Sequence, residues 1–266
     1  MQQNKDITDS INYASRIQTS MLASNYVIDR IFNDSLLLFL PRDIVSGDFY
    51  WVAAPHELET ENGVQQTVVA AVDCTGHGVP GAFLTIVANN LLNQIVKEKG
   101  ITQPSEILTR LNDQLISRFQ NKSDKEMADG MDIALCNIRE SIHGIKIEFA
   151  GAYNPLFLIR NGELHEIKGT RASIGSRINE GNEIIFDEYT FEGEVGDYLY
   201  MFSDGYVDQL GGPKGKKFMK KPFKKLLLDI YKKPMKEQEK ILKEKLEEWQ
   251  GETVQVDDIL VLGLKL

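Results

Sequence analysis

The residues with most chemical promise are aspartates at the edges of apolar segments. Asp48 follows Gly47 and leads into the apolar stretch 49–54. Asp73 closes the Val- and Ala-rich stretch 67–72, and Asp204 follows the stretch 198–202 within Phe202-Ser203-Asp204-Gly205. Asp257 and Asp258 stand just before the final apolar stretch, 259–264. Taken singly, each acid is explained by a turn or an Asx cap. Taken together, the ends of several strands in one sandwich can converge, although a carboxylate is costly to bury alone. Converging carboxylates raise one another's pKa unless a cation neutralises them. An all-oxygen donor set without His or Cys suits Mg²⁺ or Mn²⁺ rather than zinc. Two divalent ions would balance four such carboxylates. Gly47, Gly76, Gly78 and Gly205 leave room beside the backbone for water or a phosphate.

Two other motifs compete for attention. Gly76-His77-Gly78-Val79-Pro80-Gly81 reads as G-x-G-x-x-G between a strand and a helix, the dinucleotide-binding pattern. That pattern needs a β-α-β unit and an acid about 20 residues on, at the end of the next strand. Here a second helix follows instead, Glu98 lies near the end of the first, and Asp73 would repel a pyrophosphate. The second motif is a lysine run, Lys214, Lys216, Lys217, Lys220, Lys221, Lys224 and Lys225, with no acid among them. It reads either as a solvated helix and loop or as a docking surface for an acidic partner. Phe218, Met219 and Phe223 interrupt it, so part of it packs.

The elements that must position these residues follow from apolar patterning. Strands are expected at 35–40, 49–54, 67–72, 131–138, 145–150, 156–160, 163–167, 183–191, 198–202 and 259–264. Asn161-Gly162 is a type I′ hairpin signal. Helices are expected after Gly81 with Gly100 as a stop, from Pro104, and over 218–231 and 235–249. Polar loops are expected at 57–66 and 120–125. Hairpins outnumber βα alternations, so the pattern is α+β with two mainly antiparallel sheets and paired helices outside. Near the N-terminus, Ile7, Ile11, Ala14 and Met21 give a helical stripe with Gln18 as its polar interruption. That helix either lies on its own domain or ends a coiled-coil linker. The expected division is 1–32 as an N-terminal helical extension and 33–266 as one globular domain.

The 266 residues carry a net charge of −9, with 42% hydrophobic and 26% charged residues, which excludes a mainly disordered chain. The acidic balance argues against nucleic acid as a partner. No apolar run approaches the roughly 18 residues that span a bilayer, so no membrane insertion is expected. Cys74 and Cys136 are the two cysteines; they form no disulfide framework, and a reducing cytoplasm is the expected setting.

The segments Val45-Ser46-Gly47-Asp48-Phe49-Tyr50, Val72-Asp73-Cys74-Thr75-Gly76-His77-Gly78, Phe202-Ser203-Asp204-Gly205 and Asp257-Asp258 occur in that order. As an ordered set they resemble the motifs of the SpoIIE/RsbU branch of the PP2C-type (PPM) metal-dependent serine/threonine phosphatases. Phe149-Ala150-Gly151-Ala152-Tyr153-Asn154-Pro155 and the Asn161-Gly162 hairpin resemble that branch as well. So does the helix segment Ser10-Ile11-Asn12-Tyr13-Ala14-Ser15-Arg16-Ile17-Gln18, which is similar to the piece joining such domains to an upstream sensor. The resemblance implies an αββα sandwich with a centre of two Mn²⁺ or Mg²⁺ ions between the sheets. It implies Asp73 as the bridging ligand, the Cys74 carbonyl as a ligand to one ion, Asp204 and Asp257 as ligands to the other, and Asp48 beside the pair. Asp258 is the alternative to Asp257. A third, weakly held ion would draw on Asp208 or on Asp129 and Asp132.

The implied reaction is attack of a metal-activated water on a phosphoserine or phosphothreonine phosphorus, without a phosphoenzyme. His77 is the candidate proton donor to the leaving oxygen, or else shapes the loop before its helix. Arg42 is the nearest phosphate-binding candidate by sequence. The implied substrate is a phosphorylated regulatory protein, a STAS-type anti-sigma-factor antagonist. An upstream sensor and a homodimer formed through the N-terminal helix complete the expectation. The alternative on the same fold is a phosphoprotein-binding switch that does not hydrolyse.

Overall fold

The computed structural model describes residues 2–23, 25–32, 34–58, 60, 63–119, 130–176 and 184–266. Two five-stranded antiparallel sheets stack face to face with helices on both outer sides. The first sheet runs β1 (Ser35–Leu40), β12 (Ile259–Lys265), β9 (Tyr198–Phe202), β6 (Leu156–Arg160), β7 (Glu163–Ile167). The second runs β2 (Asp48–Ala53), β3 (Gln65–Cys74), β4 (Met131–Ser141), β5 (Gly144–Ala152), β8 (Glu188–Gly193). This is the αββα sandwich expected from the sequence.

Three apolar layers hold it together. Helices α3 (Gly78–Leu92) and α4 (Pro104–Phe119) cover the second sheet through Leu84, Ala88, Leu91, Leu108 and Leu111, against Phe49, Trp51 and Val72. Between the sheets lie Tyr50, Val69, Ala71, Phe149, Met201, Leu260 and Leu262. Helices α6 (Lys220–Ile230) and α7 (Met235–Gln250) cover the first sheet through Phe223, Leu227, Leu242 and Leu246. Along β12 the residues alternate, Ile259 and Val261 outward to α6 and α7, Leu260 and Leu262 inward to the second sheet. Strands buried on both faces read as continuous apolar runs, which is why these strands were legible.

Several expectations change. The strand expected at 183–191 begins at Glu188 instead: Ile184 and Phe186 sink into the helix-side core rather than pairing, and Glu183 lies outside the described residues. The first long helix continues past α3 as a π-helical segment, Asn93–Glu98, and stops at Gly100 with φ +68°. The helix expected from 218 starts at Lys220, because Lys216–Lys217 (β11) pairs with Leu210–Gly211 (β10). The loop 120–125 and parts of 57–66 lie outside the described residues. Asn161 and Gly162 take φ +52° and +85°, as a type I′ turn requires. The sequence reading missed α2 (Asn25–Ile31), whose Ile28 joins the layer between the sheets. Gly78–Glu98 is long and apolar enough by composition to cross a bilayer, which corrects the expectation that no such run exists. More than half of it is buried here, with Leu91, Leu92 and Ile95 in the core.

The N-terminal helix α1 (Gln2–Met21) lies against the body along α3. Gln18, expected as an interruption, is the anchor. It is buried and its Nε2 donates to the Ser46 carbonyl at 2.6 Å and to Thr85 Oγ1 at 2.8 Å. Its Oε1 accepts from the Ser46 amide at 3.0 Å. Gln18 therefore satisfies both backbone groups of a residue two positions before Asp48. Gln18→Leu keeps the volume and orphans the Ser46 carbonyl and amide, while Thr85 Oγ1 keeps its 2.7 Å bond to the Ala82 carbonyl, at about 1–3 kcal/mol for each buried group left unpaired. Thermal unfolding should fall by several degrees relative to wild type; an unchanged midpoint would show that the anchor is dispensable.

Candidate metal centre

Three acids stand side by side at one end of the second sheet. Asp48 at the start of β2 is in register with Asp73 on β3, and Asp73 with Asp132 on β4. Directly opposed residues on antiparallel strands have Cα atoms only about 4.5–5.5 Å apart. From the first sheet, Asp204 follows β9 and Asp257-Asp258 precede β12, its neighbouring strand. Groups of the first sheet reach the acids of the second: the Asp204 backbone favours the charged form of Asp73, and the Ser203 side chain that of Asp48. Ser203 Oγ also accepts from the Leu260 amide at 3.0 Å, which fixes its direction.

The pair Asp257-Asp258 separates into two roles. Asp258 is buried, and its Oδ2 accepts from the Gly47 amide and its Oδ1 from the Arg42 amide, each at 2.7 Å. Its carboxylate therefore clamps the loop that carries Asp48. Asp257 lies nearer the surface and accepts from the Asp258 amide through Oδ1. Glycines make the close approach possible. A Cβ on Gly205 would sit 1.9 Å from the Asp258 carbonyl, and one on Gly47 would sit 2.3 Å from the Gly76 carbonyl.

The electrostatics are those of crowded acids. Burial, then the charge of Asp73, pushes the Asp48 carboxyl well above the usual range. Burial, then Asp204, Asp132 and Asp257, does the same to Asp73. Asp204, although open to solvent at the mouth, is pushed up to about 6 by desolvation and by Asp208, Asp257 and Asp132. Asp132 is raised by burial, offset by a 2.6 Å bond from Ser173 Oγ. Among the described residues, no three His, Cys, Asp or Glu side chains form a ready-made cation site. The donor chemistry nevertheless fits a hard divalent ion. Asp48 Oδ2 is buried without a hydrogen-bond partner, an oxygen whose desolvation nothing in the protein offsets.

The remaining candidates fall in different places. The Cys74 thiol lies in the core under α3, and burial raises it well above the usual thiol range, which leaves the backbone as its polar contribution. His77 sits at the start of α3, half exposed, with Nδ1 2.8 Å from Asp43 Oδ2. Asp208 on α5 (Gly205–Asp208) is held at 2.6 Å by Lys217 Nζ. Arg42 Nη1 donates to the Val256 carbonyl at 2.9 Å, so it braces the loop before β12. Asp129 lies outside the described residues. Sequence reasoning missed Gln18, Ser203 and Asp43, whose partners are distant in sequence and carry no local signal.

These shifts have a thermodynamic sign. A carboxyl whose folded pKa lies above its unfolded value stabilises the fold fully below about pH 4 and loses that contribution as pH rises through its folded value. For Asp204 that window closes near pH 6. In chelator, Asp204→Asn should flatten the fall in melting temperature between about pH 4 and pH 7 relative to wild type. Asp48→Asn should raise the metal-free midpoint at neutral pH by a few degrees while abolishing stabilisation by Mn²⁺. Unaltered Mn²⁺ stabilisation in that variant would remove Asp48 from the site.

Residues 63–266 match the family model of stage II sporulation protein E (SpoIIE). The SiaA PP2C domain of Pseudomonas aeruginosa superposes with a TM-score of 0.84 at 31% identity, covering 99% of this chain and 98% of that one. The PP2C phosphatase domain of SpoIIE with a fragment of its regulatory domain, from Bacillus subtilis, superposes at 0.67 and 18% identity, covering 88% and 63%. The RsbU and RsbW domains of a Mycobacterium tuberculosis protein superpose at 0.64 and 18% identity, covering 87% and 59%. No curated protein sequence matches. With three quarters of the chain under one family model and a near full-length likeness to a PP2C domain, the chain belongs to the SpoIIE family of PP2C-type (PPM) serine/threonine phosphatase domains.

Proposed function

We propose that this chain hydrolyses phosphoserine or phosphothreonine on a regulatory protein, with two Mn²⁺ or Mg²⁺ ions as cofactors. The observation that carries the reading is the buried, unpartnered Oδ2 of Asp48 amid carboxylates that raise one another's pKa. In this reading Asp73, Asp48, Asp204, Asp257 and the Cys74 carbonyl hold the ions. The ions, when bound, supply positive charge for the phosphoryl oxygens and lower the pKa of water. Asp258 and Ser203 keep the ligands in place, and the Asp204 backbone favours the charged form of Asp73. His77 protonates the leaving oxygen through Nε2, with Asp43 holding the other ring nitrogen. No side chain is needed as a covalent nucleophile.

The company of RsbU and RsbW domains in one related protein supports a partner-switching role. The phosphoprotein we expect is a STAS-type anti-sigma-factor antagonist. Residues 1–32 then couple an upstream sensor to the phosphatase domain, 33–266. Ile7, Tyr13 and Ile17 on α1 and Phe83 on α3 are exposed apolar side chains, which supports a homodimer through the N-terminal helix. The second reading on this fold is a switch that binds phosphoprotein without hydrolysis.

Hydrolysis of p-nitrophenyl phosphate with Mn²⁺, Mg²⁺ or EDTA separates the two. The phosphatase reading expects metal-dependent turnover that Asp73→Asn lowers by about 10²-fold or more. Absence of both turnover and calorimetric Mn²⁺ binding supports the switch. His77→Gln should slow a phosphoserine peptide, with its poor leaving group, more than p-nitrophenyl phosphate; equal slowing would reduce His77 to a loop residue. Sedimentation equilibrium should give a dimer for wild type and a monomer for Ile17→Glu with Phe83→Glu.

A further inference from the structure

We infer that the β10–β11 hairpin and the start of α6 form a docking surface for an acidic, partly apolar segment flanking the phosphorylated residue of the substrate. The inference rests on the phosphatase reading above and adds the chemistry of the partner. Residues 209–228 hold seven lysines and no acid, in a chain whose net charge is −9. Two of the seven are committed. Lys217 bonds Asp208, and Lys224 bonds Glu166 while lying 5.1 Å over the Phe157 ring. Lys214, Lys216, Lys220, Lys221 and Lys225 are exposed and have no ion pair among the described residues. Unneutralised lysines this dense on an acidic molecule repel one another, a cost that an acidic partner removes.

Position ties this surface to the centre. The hairpin follows α5, which starts one residue after Asp204; the Asp208 amide on α5 bonds the Asp204 carbonyl at 2.9 Å, and Lys217 holds the Asp208 carboxylate at 2.6 Å. A segment docked on the hairpin therefore lies beside the acids proposed to receive the phosphate. The surface is also built to stay in shape. Gly212 donates to the Trp249 carbonyl at 2.7 Å, Trp249 Nε1 donates to the Gln209 carbonyl at 3.0 Å, and the Phe218 and Trp249 rings meet edge-on at 5.4 Å. Met219 is held at φ +77°, a conformation that costs a non-glycine residue of order 1–3 kcal/mol. Its amide bonds the Val207 carbonyl at 2.7 Å, and its side chain is 57% exposed. Leu210 and Val254 are exposed in the same bonded unit, which Gln209 Nε2 joins through the Val254 carbonyl and Thr253 Oγ1 through the Leu210 carbonyl. Apolar side chains ringed by charge on a preorganised frame describe a protein-docking surface better than a solvated loop.

The test uses the full chain and two phosphoserine peptides of equal length. One carries Asp, Glu and Leu beside the phosphoserine; the other carries Ser, Gly and Gln. In low salt, wild type should prefer the acidic peptide by roughly tenfold in kcat/KM, and the preference should shrink as salt rises. K216E/K220E/K221E should bring the ratio close to one with p-nitrophenyl phosphate turnover unchanged. K214Q/K225Q, a milder pair, should lower it partway. Equal kcat/KM for the two peptides in wild type overturns the inference, as does a preference that survives charge reversal. Inhibition of wild type by phosphatidylserine vesicles, with no peptide preference, also overturns it and assigns the lysines to a lipid surface. Fluorescence anisotropy of the same peptides reads docking without turnover. Acidic-selective binding in a chain that hydrolyses nothing would defeat the phosphatase reading and leave the docking surface standing.

Discussion

The cost of gathering carboxylates in a partly dry place governs the rest of this structure. Burial and the charge of neighbouring acids raise the proton affinity of Asp48, Asp73 and Asp204, with Asp132 and Asp257 among those neighbours, so the centre tends to push itself apart. The sandwich resists because the acids sit at the ends of strands whose other residues are buried on both faces. Moving any one strand end would open apolar surface worth about 25 cal/mol per Å². The scaffold also spends its hydrogen bonds selectively. Asp258 receives two backbone donors and becomes part of the frame, whereas Asp48 keeps one oxygen free.

Two sheets are needed because neither brings enough oxygen to one point. The second sheet supplies Asp48, Asp73 and Asp132 by strand register, and the first supplies Asp204 and Asp257 from the ends of adjacent antiparallel strands. Bringing those ends together forces main chains into contact. Gly47 and Gly205 occupy two of these close approaches, and a methyl group at either would displace backbone rather than a flexible side chain. The motif glycines are thus explained by space between loops before any ligand is considered.

The same reasoning shows what was legible in the sequence. The acids could be found because an Asp at the end of an apolar run is a local contradiction, visible without partners. The strands around them were visible because two buried faces erase the alternation that a half-exposed strand would show. Gln18 was misread because a polar residue in an apolar stripe has two meanings, and only Ser46 and Thr85, 28 and 67 residues away, decide between them. Asp257 and Asp258 could not be told apart for a similar reason: the Gly47 and Arg42 amides that claim Asp258 lie more than 200 residues earlier. The β10–β11 hairpin has two residues per strand, too few to show any period.

These long-range bonds make one continuous brace. Gln18 on α1 holds both backbone groups of Ser46, and the amide of the next residue, Gly47, is held by Asp258 from the first sheet. Asp48, with its unpartnered oxygen, comes next in the chain. Thr85 ties the same glutamine to α3, the helix that begins at the His77 loop. The loop bearing Asp48 is therefore pinned by the N-terminal helix on one side and by the opposite sheet on the other. If α1 moves away, Ser46 loses two buried hydrogen bonds at once, at about 1–3 kcal/mol per orphaned group. The loop that presents Asp48 thus depends on α1 through Ser46 and on the first sheet through Asp258.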